Sequence, residues 1–118
     1  ILPGSSSSSK TSNDEIANLT LKCLKMNVPE EVPGIAFLSG GQTEIEATKN
    51  LNEINKINDT NFLITFSYGR ALQQSTLSYW GKNQDDFANT QIVFNHRAKM
   101  NSLATSGNWI ENKDKIII

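Results

Sequence analysis

Cysteine is nearly missing from this sequence: among 118 residues there is one, Cys23. A single thiol excludes an internal disulfide and fits a reducing compartment, so a cytoplasmic location is expected. Cys23 falls on a helical stretch, where a buried, inert thiol is the expectation and a nucleophile is not. Histidine is equally scarce. His96 has no second His or Cys at ligand spacing, so no metal site is expected, and it reads as a helix-surface residue. An excess of either charge is lacking too. Eleven Lys and Arg against twelve Asp and Glu leave a net charge of −1, which gives no electrostatic footing for nucleic acid or anionic lipid. No apolar run approaches the roughly 20 residues a membrane helix needs. No basic stretch followed by an apolar one opens the sequence, so neither a membrane partner nor a secretory leader is expected. The length is that of one ordinary domain.

What is present is concentrated between Gly34 and Arg70. Gly34-Ile-Ala-Phe-Leu-Ser-Gly-Gly41 is an apolar run that breaks into a small-residue turn. Phe62-Leu-Ile-Thr-Phe-Ser-Tyr-Gly-Arg70 repeats that design. About twenty residues with helical spacing lie between them, the length of a βαβ crossover. The spacing predicts parallel strands near Ile35–Leu38 and Phe62–Phe66, joined by a helix over Glu44–Ile57. Glycines at the carboxyl ends of parallel strands let backbone N–H groups approach an anion with no Cβ in the way. Arg70 adds a forked positive charge suited to phosphate. Ser39, Gly40, Gly41, Ser67, Gly69 and Arg70 are therefore the candidate substrate-binding residues, forming a phosphate cradle at two adjacent strand ends. Either turn taken singly would be no more than a tight turn ending a strand.

The flanks fit around this unit. Ile1-Leu2-Pro3-Gly4 reads as a strand end entering a turn, and Ser5 to Ser12 as a solvent-exposed βα loop. Ser12-x-x-Glu15 is a capping box. Ile16, Leu19, Cys23 and Met26 recur at helical spacing and predict an apolar stripe. Pro29 and Pro33 close that helix. Thr43-x-x-Glu46 is a second capping box, with Ala47, Leu51 and Ile54 facing inward and Glu44, Glu46, Lys49 and Glu53 outward. Asn58, Asp59 and Asn61 mark the turn back. Phe62–Phe66 shows little alternation, as in a strand covered on both faces, with Thr65 hydrogen-bonded inside. Beyond Arg70, Ala71, Leu72, Leu77 and Trp80 are expected to pack until Gly81 interrupts. A long helix follows through Phe87, Phe94 and Ala98 to Gly107, its aromatic stripe facing the core or another subunit. Nothing in the sequence accounts for the stretch Asn108–Ile118.

The quoted motifs fall in one register. Phe37-Leu-Ser-Gly-Gly-Gln42, Leu63-Ile-Thr-Phe-Ser-Tyr-Gly-Arg-Ala-Leu-Gln73, Val32-Pro-Gly34, Asn50-Leu-Asn52, Ile54-Asn55, Trp80-Gly81 and Asn101-Ser-Leu-Ala104 together resemble the last third of class I, Schiff-base fructose-bisphosphate aldolase. The resemblance implies a (β/α)8 TIM barrel, of which residues 1–118 would supply the end of strand 6 through helix 8. It also implies a sugar bisphosphate substrate, no cofactor and a homotetramer in the full-length enzyme. The family's Schiff-base lysine lies in a Leu-Lys-Pro-Asn-Met pattern, which is not among these residues. Ile1-Leu2 passes directly to Pro3-Gly4, and Lys10 in the serine loop is no positional substitute. No catalytic residue is assigned, and the isolated chain is expected to be inactive. Two functional readings remain: the phosphate-holding portion of a fructose-1,6-bisphosphate aldolase, or an inactive aldolase-derived module that binds phosphate or a partner.

Overall fold

A computed structural model describes residues 2–116. The elements follow as α1 (Asn13–Asn27), β1 (Gly34–Phe37), α2 (Glu44–Lys56), β2 (Leu63–Phe66), α3 (Arg70–Lys82), α4 (Phe87–Ala104) and a 3-10 turn over Glu111–Lys113. β1 and β2 pair in parallel, with Gly34 opposite Leu63 and Phe37 opposite Phe66. The Ser67 amide extends the ladder by donating to the Phe37 carbonyl at 2.7 Å. α2 makes the connection, as the spacing of the two apolar runs requires.

Local chemistry explains where α2 begins. The Thr43 hydroxyl accepts from the Glu46 amide at 3.2 Å, and the Glu46 carboxylate accepts from the Thr43 amide at 2.9 Å. Both halves of the capping box are thus made. Ahead of α1 only one half forms, with Ser12 Oγ accepting from the Glu15 amide. The return to β2 is an Asx turn. Asn58 Oδ1 accepts from the Thr60 amide at 3.0 Å, and Asn58 Nδ2 donates to the Phe62 carbonyl at 2.9 Å.

The core sits on one side of the sheet. Ala47, Leu51 and Ile54 of α2 meet Ala17 and Leu21 of α1, Ile64 of β2, and Met100 and Ala104 of α4, with Ile35, Phe37 and Phe66 packed against them. The opposite face is bare. Ala36 and Thr65 are exposed, Leu63 is 76% exposed, and Leu38, just past β1, is 75% exposed. The sheet of the described residues thus has two unpaired edges and an uncovered apolar face. Among the described residues, strands that read as covered on both sides are covered on one, and Thr65 lies on the uncovered face with Leu63.

Other expectations need correction. The buried face of α1 is Ile16, Ala17, Thr20 and Leu21, while Leu19, Cys23 and Met26 are exposed. The stripe of larger apolar residues has the right period and the wrong phase. Leu77 and Trp80 are exposed rather than packed, Phe87 and Phe94 are exposed and so do not face the core, and α3 runs through Gly81 to Lys82. Leu2 belongs to no strand, and Ile1, the other half of that expected strand end, lies outside the described residues together with Ile117 and Ile118.

Candidate functional site

The first turn, Ser39-Gly40-Gly41-Gln42, leaves β1 and enters α2. Gly40 and Gly41 have φ of 59° and 84°, the left-handed region that glycine occupies without strain. An ideal Cβ at either position would meet no atom within 4 Å, so conformation and not space calls for glycine here. A relay of amides holds the turn. Asn13 Nδ2 donates to Asn50 Oδ1 at 2.6 Å, Asn50 Nδ2 to Gln42 Oε1 at 2.7 Å, and Gln42 Nε2 to the Ser39 carbonyl at 2.6 Å.

The second turn, Ser67-Tyr68-Gly69, leaves β2 and enters α3. Tyr68 is buried, and its hydroxyl donates to the Ala47 carbonyl of α2 at 3.0 Å. Burial pushes its pKa up to about 12, so it stays a neutral donor that ties this turn to the helix of the other. α3 starts at Arg70, with Gly69 in the cap position and no side-chain cap. Among the described α-helices it is alone in this: α1 is capped by Ser12, α2 by Thr43 and α4 by Asp86. The Leu72 amide donates to the Gly69 carbonyl at 3.0 Å, which leaves the Arg70 and Ala71 amides as orphan donors at the positive end of a helix dipole.

Ser39, Gly41, Gln42, Thr43, Glu44, Ile45, Arg70 and Gln74 line a cleft of about 430 Å³. The structure therefore brings Ser39, Gly41 and Arg70 together on one concave surface. Gly40, Ser67 and Gly69 lie in the same two turns but do not line this cleft. No lysine lines it either. Glu44, which read as part of a solvated face, is instead mostly enclosed. Its carboxylate accepts from the Ser75 amide at 2.8 Å and from the Ser75 hydroxyl, and it lies 3.6 Å from Arg97 Nε.

Behind the cleft is a buried polar cluster that the sequence reading missed. The Asp114 side chain is 1% exposed and accepts from Arg97 at 2.7 and 3.1 Å, from Trp109 Nε1 at 2.9 Å, and pairs with His96 Nε2 at 2.7 Å. Burial, the largest single influence, raises the Asp114 pKa. The hydrogen bonds from Arg97, His96 and Trp109, with the Arg97 charge, outweigh it and hold the carboxyl below its ordinary value. His96 is thus engaged by the carboxyl-terminal segment and is not a plain surface residue. Trp109 is buried, and its amide donates to Asn52 Oδ1 at 3.0 Å. Gly107, at φ 71°, lies in the turn after α4 so close to α2 that a Cβ would sit 3.3 Å from the Lys56 backbone nitrogen. No short motif announces this anchor, because its donors and acceptors are scattered between Asn52 and Asp114.

Residues 1–117 match the sequence model of the glycolytic family described as fructose-bisphosphate aldolase class-I. A cytosolic fructose-bisphosphate aldolase from Arabidopsis thaliana is 49% identical over 92% of this chain and 28% of its own length. A probable class 1 aldolase from Xylella fastidiosa is 44% identical over 92% of this chain and 33% of its own. The solved structure of the Plasmodium falciparum fructose-bisphosphate aldolase, in complex with TRAP and a small-molecule inhibitor, superposes with a TM-score of 0.86 at 43% identity. That match covers 91% of this chain and 31% of the other. The chain thus spans about a third of the length of the relatives it matches.

Proposed function

The chain belongs to the class I fructose-bisphosphate aldolase family, and from that premise we propose that its two strand-end turns hold a phosphate group of a sugar bisphosphate. The observation that carries this reading is the uncapped start of α3, with Arg70 at its first position beside the left-handed Gly40-Gly41 turn. A phosphate oxygen would complete the missing cap, the helix dipole would favour its charge, and Arg70 would supply a charge-assisted pair. Ser39 and Ser67 contribute hydroxyls, and Gly40, Gly41 and Gly69 contribute amides.

In this reading the chain is the end of strand 6 through helix 8 of a (β/α)8 barrel. Loops after strands 7 and 8 commonly make the phosphate site of such barrels. The bare face carrying Leu63 and Leu38 then points into the barrel interior. The reaction served is the reversible cleavage of fructose 1,6-bisphosphate to dihydroxyacetone phosphate and glyceraldehyde 3-phosphate in the cytoplasm, by a homotetramer. Its Schiff-base lysine sits on a part of the barrel outside these residues. This chain's task is to fix the phosphate so that the substrate carbonyl meets that lysine in a defined pose.

The test is Arg70→Ala in a complete barrel that joins residues 3–118 of this chain to the upstream part of the Arabidopsis relative, taken through the family's Leu-Lys-Pro-Asn-Met stretch so that the Schiff-base lysine is present. Loss of a hydrogen bond to a charged group costs about 1.5–3 kcal/mol, or about 10- to 100-fold in kcat/KM. A rise in KM with kcat held shows phosphate bound equally in ground and transition states, and a fall in both shows added positioning. An unchanged kcat/KM would rule out this role for Arg70.

A further inference from the structure

We propose that Ser75 is a positioning residue for the phosphate site: its amide and hydroxyl hold the Glu44 carboxylate back from the cleft, so that an anion can enter. This rests on the phosphate reading above. Glu44 opens α2 and lines the cleft together with Arg70. A free carboxylate there would oppose a phosphate dianion and compete with it for the Arg70 guanidinium. The structure directs it elsewhere. Both of its oxygens are taken by Ser75, one by the amide at 2.8 Å and the other by the hydroxyl.

Arg97 Nε stands 3.6 Å from the Glu44 carboxylate, but the two terminal nitrogens of that guanidinium are committed to Asp114. Arg97 is therefore shared between two carboxylates, and the closer donors to Glu44 are those of Ser75. The same contact has a geometric consequence. It fastens the start of α2, just after the Ser39–Gly41 turn, to α3 five residues after Arg70. With the Tyr68 hydroxyl on the Ala47 carbonyl, it is the second tie between the element behind one phosphate turn and the element behind the other.

The experiment is steady-state kinetics in the complete barrel described above, on Ser75→Ala, Glu44→Gln and the double variant, with Arg70→Ala alongside. Ser75→Ala keeps the amide and loses the hydroxyl, so the carboxylate is freed toward the cleft. KM for the bisphosphate is expected to rise about 3- to 10-fold, with a smaller change in kcat, the size of one ordinary hydrogen bond. Glu44→Gln removes the charge and is expected to leave KM unchanged or lower it. The double variant should then return KM close to its original value, because a neutral amide does not repel phosphate.

A merely structural tie predicts the opposite: the double variant would be no better than Ser75→Ala. That outcome would overturn the proposal, as would a Ser75→Ala enzyme with unaltered KM. Should Ser75→Ala fail to fold, a raised KM in Glu44→Gln alone would also overturn it. The Arg70→Ala arm keeps the two readings apart. If Arg70 matters and Ser75 does not, only the positioning role fails; if Arg70 does not matter, the phosphate reading itself fails.

Discussion

Replacing Arg97 by Ala in a complete barrel is expected to destabilise the fold by about 3–5 kcal/mol, the cost of leaving one member of a buried ion pair without its partner. Asp114 would remain enclosed with only His96 and Trp109 as donors, and Glu44 would lose its nearest guanidinium. Thermal or denaturant unfolding reads this directly. The Asp114 carboxyl titrates below its ordinary value in the folded state, so its contribution to stability is fully present above the unfolded value of roughly 3.9. That contribution is lost as pH falls through the lower folded value. Asp114→Asn should therefore be less stable than the parent at neutral pH, and the gap should close in acid. An Arg97→Ala protein as stable as the parent at pH 7 would show that the carboxyl-terminal anchor contributes little.

The second large effect is an absence of chemistry. The purified 118-residue chain, treated with dihydroxyacetone phosphate and borohydride, is expected to carry no stoichiometric lysine adduct. Imine formation needs an unprotonated amine held against the ketone, and lysines become effective nucleophiles in apolar pockets or beside other cations. The lysines here have neither setting. Lys25 pairs with Asp59 at 2.6 Å, Lys49 with Glu111 at 3.2 Å and Lys56 with Glu53 at 3.2 Å, and none lines the cleft. Lys10 lies in the serine-rich loop. Without an amine and a proton-transfer group in place, the advantages of proximity and of general acid–base catalysis are both missing. Mass mapping of the trapped product decides the matter, and a one-to-one adduct on a single lysine would reverse this expectation.

The βαβ unit was legible in the sequence because each of its parts has a local cause. The apolar runs Ile35–Leu38 and Phe62–Phe66, the Thr43 box and the Asn58 turn act within a few residues of themselves, and the structure forms strands over Gly34–Phe37 and Leu63–Phe66 within one or two residues of those runs. Ala47, Leu51 and Ile54 were readable as the inward face because α2 crosses directly over its own strands. α1 was harder. Ile16, Leu19, Cys23 and Met26 satisfy the helical period as well as Ile16, Ala17, Thr20, Leu21 and Leu24 do, and only the approach of α2 selects the second set. On α4, hydropathy favours Phe87 and Phe94 for burial, yet Arg97 and Asn101 are buried there beside Val93, Met100 and Ala104. Their polar groups are met in part: the terminal nitrogens of Arg97 by Asp114 and Asn101 Oδ1 by the Thr48 hydroxyl, while Arg97 Nε and Asn101 Nδ2 have no hydrogen-bond partner among the described residues.

The candidate site divides in the same way. Ser39, Gly41 and Arg70 could be brought together on paper because parallel neighbouring strands must present their carboxyl ends side by side. Glu44 could not be read correctly, since an acidic residue in a helix's first turn has an ordinary explanation in the dipole. Its real partners, Ser75 and Arg97, stand 31 and 53 positions further along. The anchor at Trp109 and Asp114 was equally invisible, because it depends on α2, α4 and the carboxyl-terminal segment meeting behind the cleft.

The most direct measurement is a crystal structure of the complete barrel with fructose 1,6-bisphosphate bound. The account predicts one phosphate seated between the Ser39–Gly41 turn and the start of α3, its oxygens within hydrogen-bond distance of the Arg70 guanidinium and of the Gly41 and Gly69 amides. Both substrate phosphates lying elsewhere in the barrel, with the start of α3 still open to solvent, would contradict it.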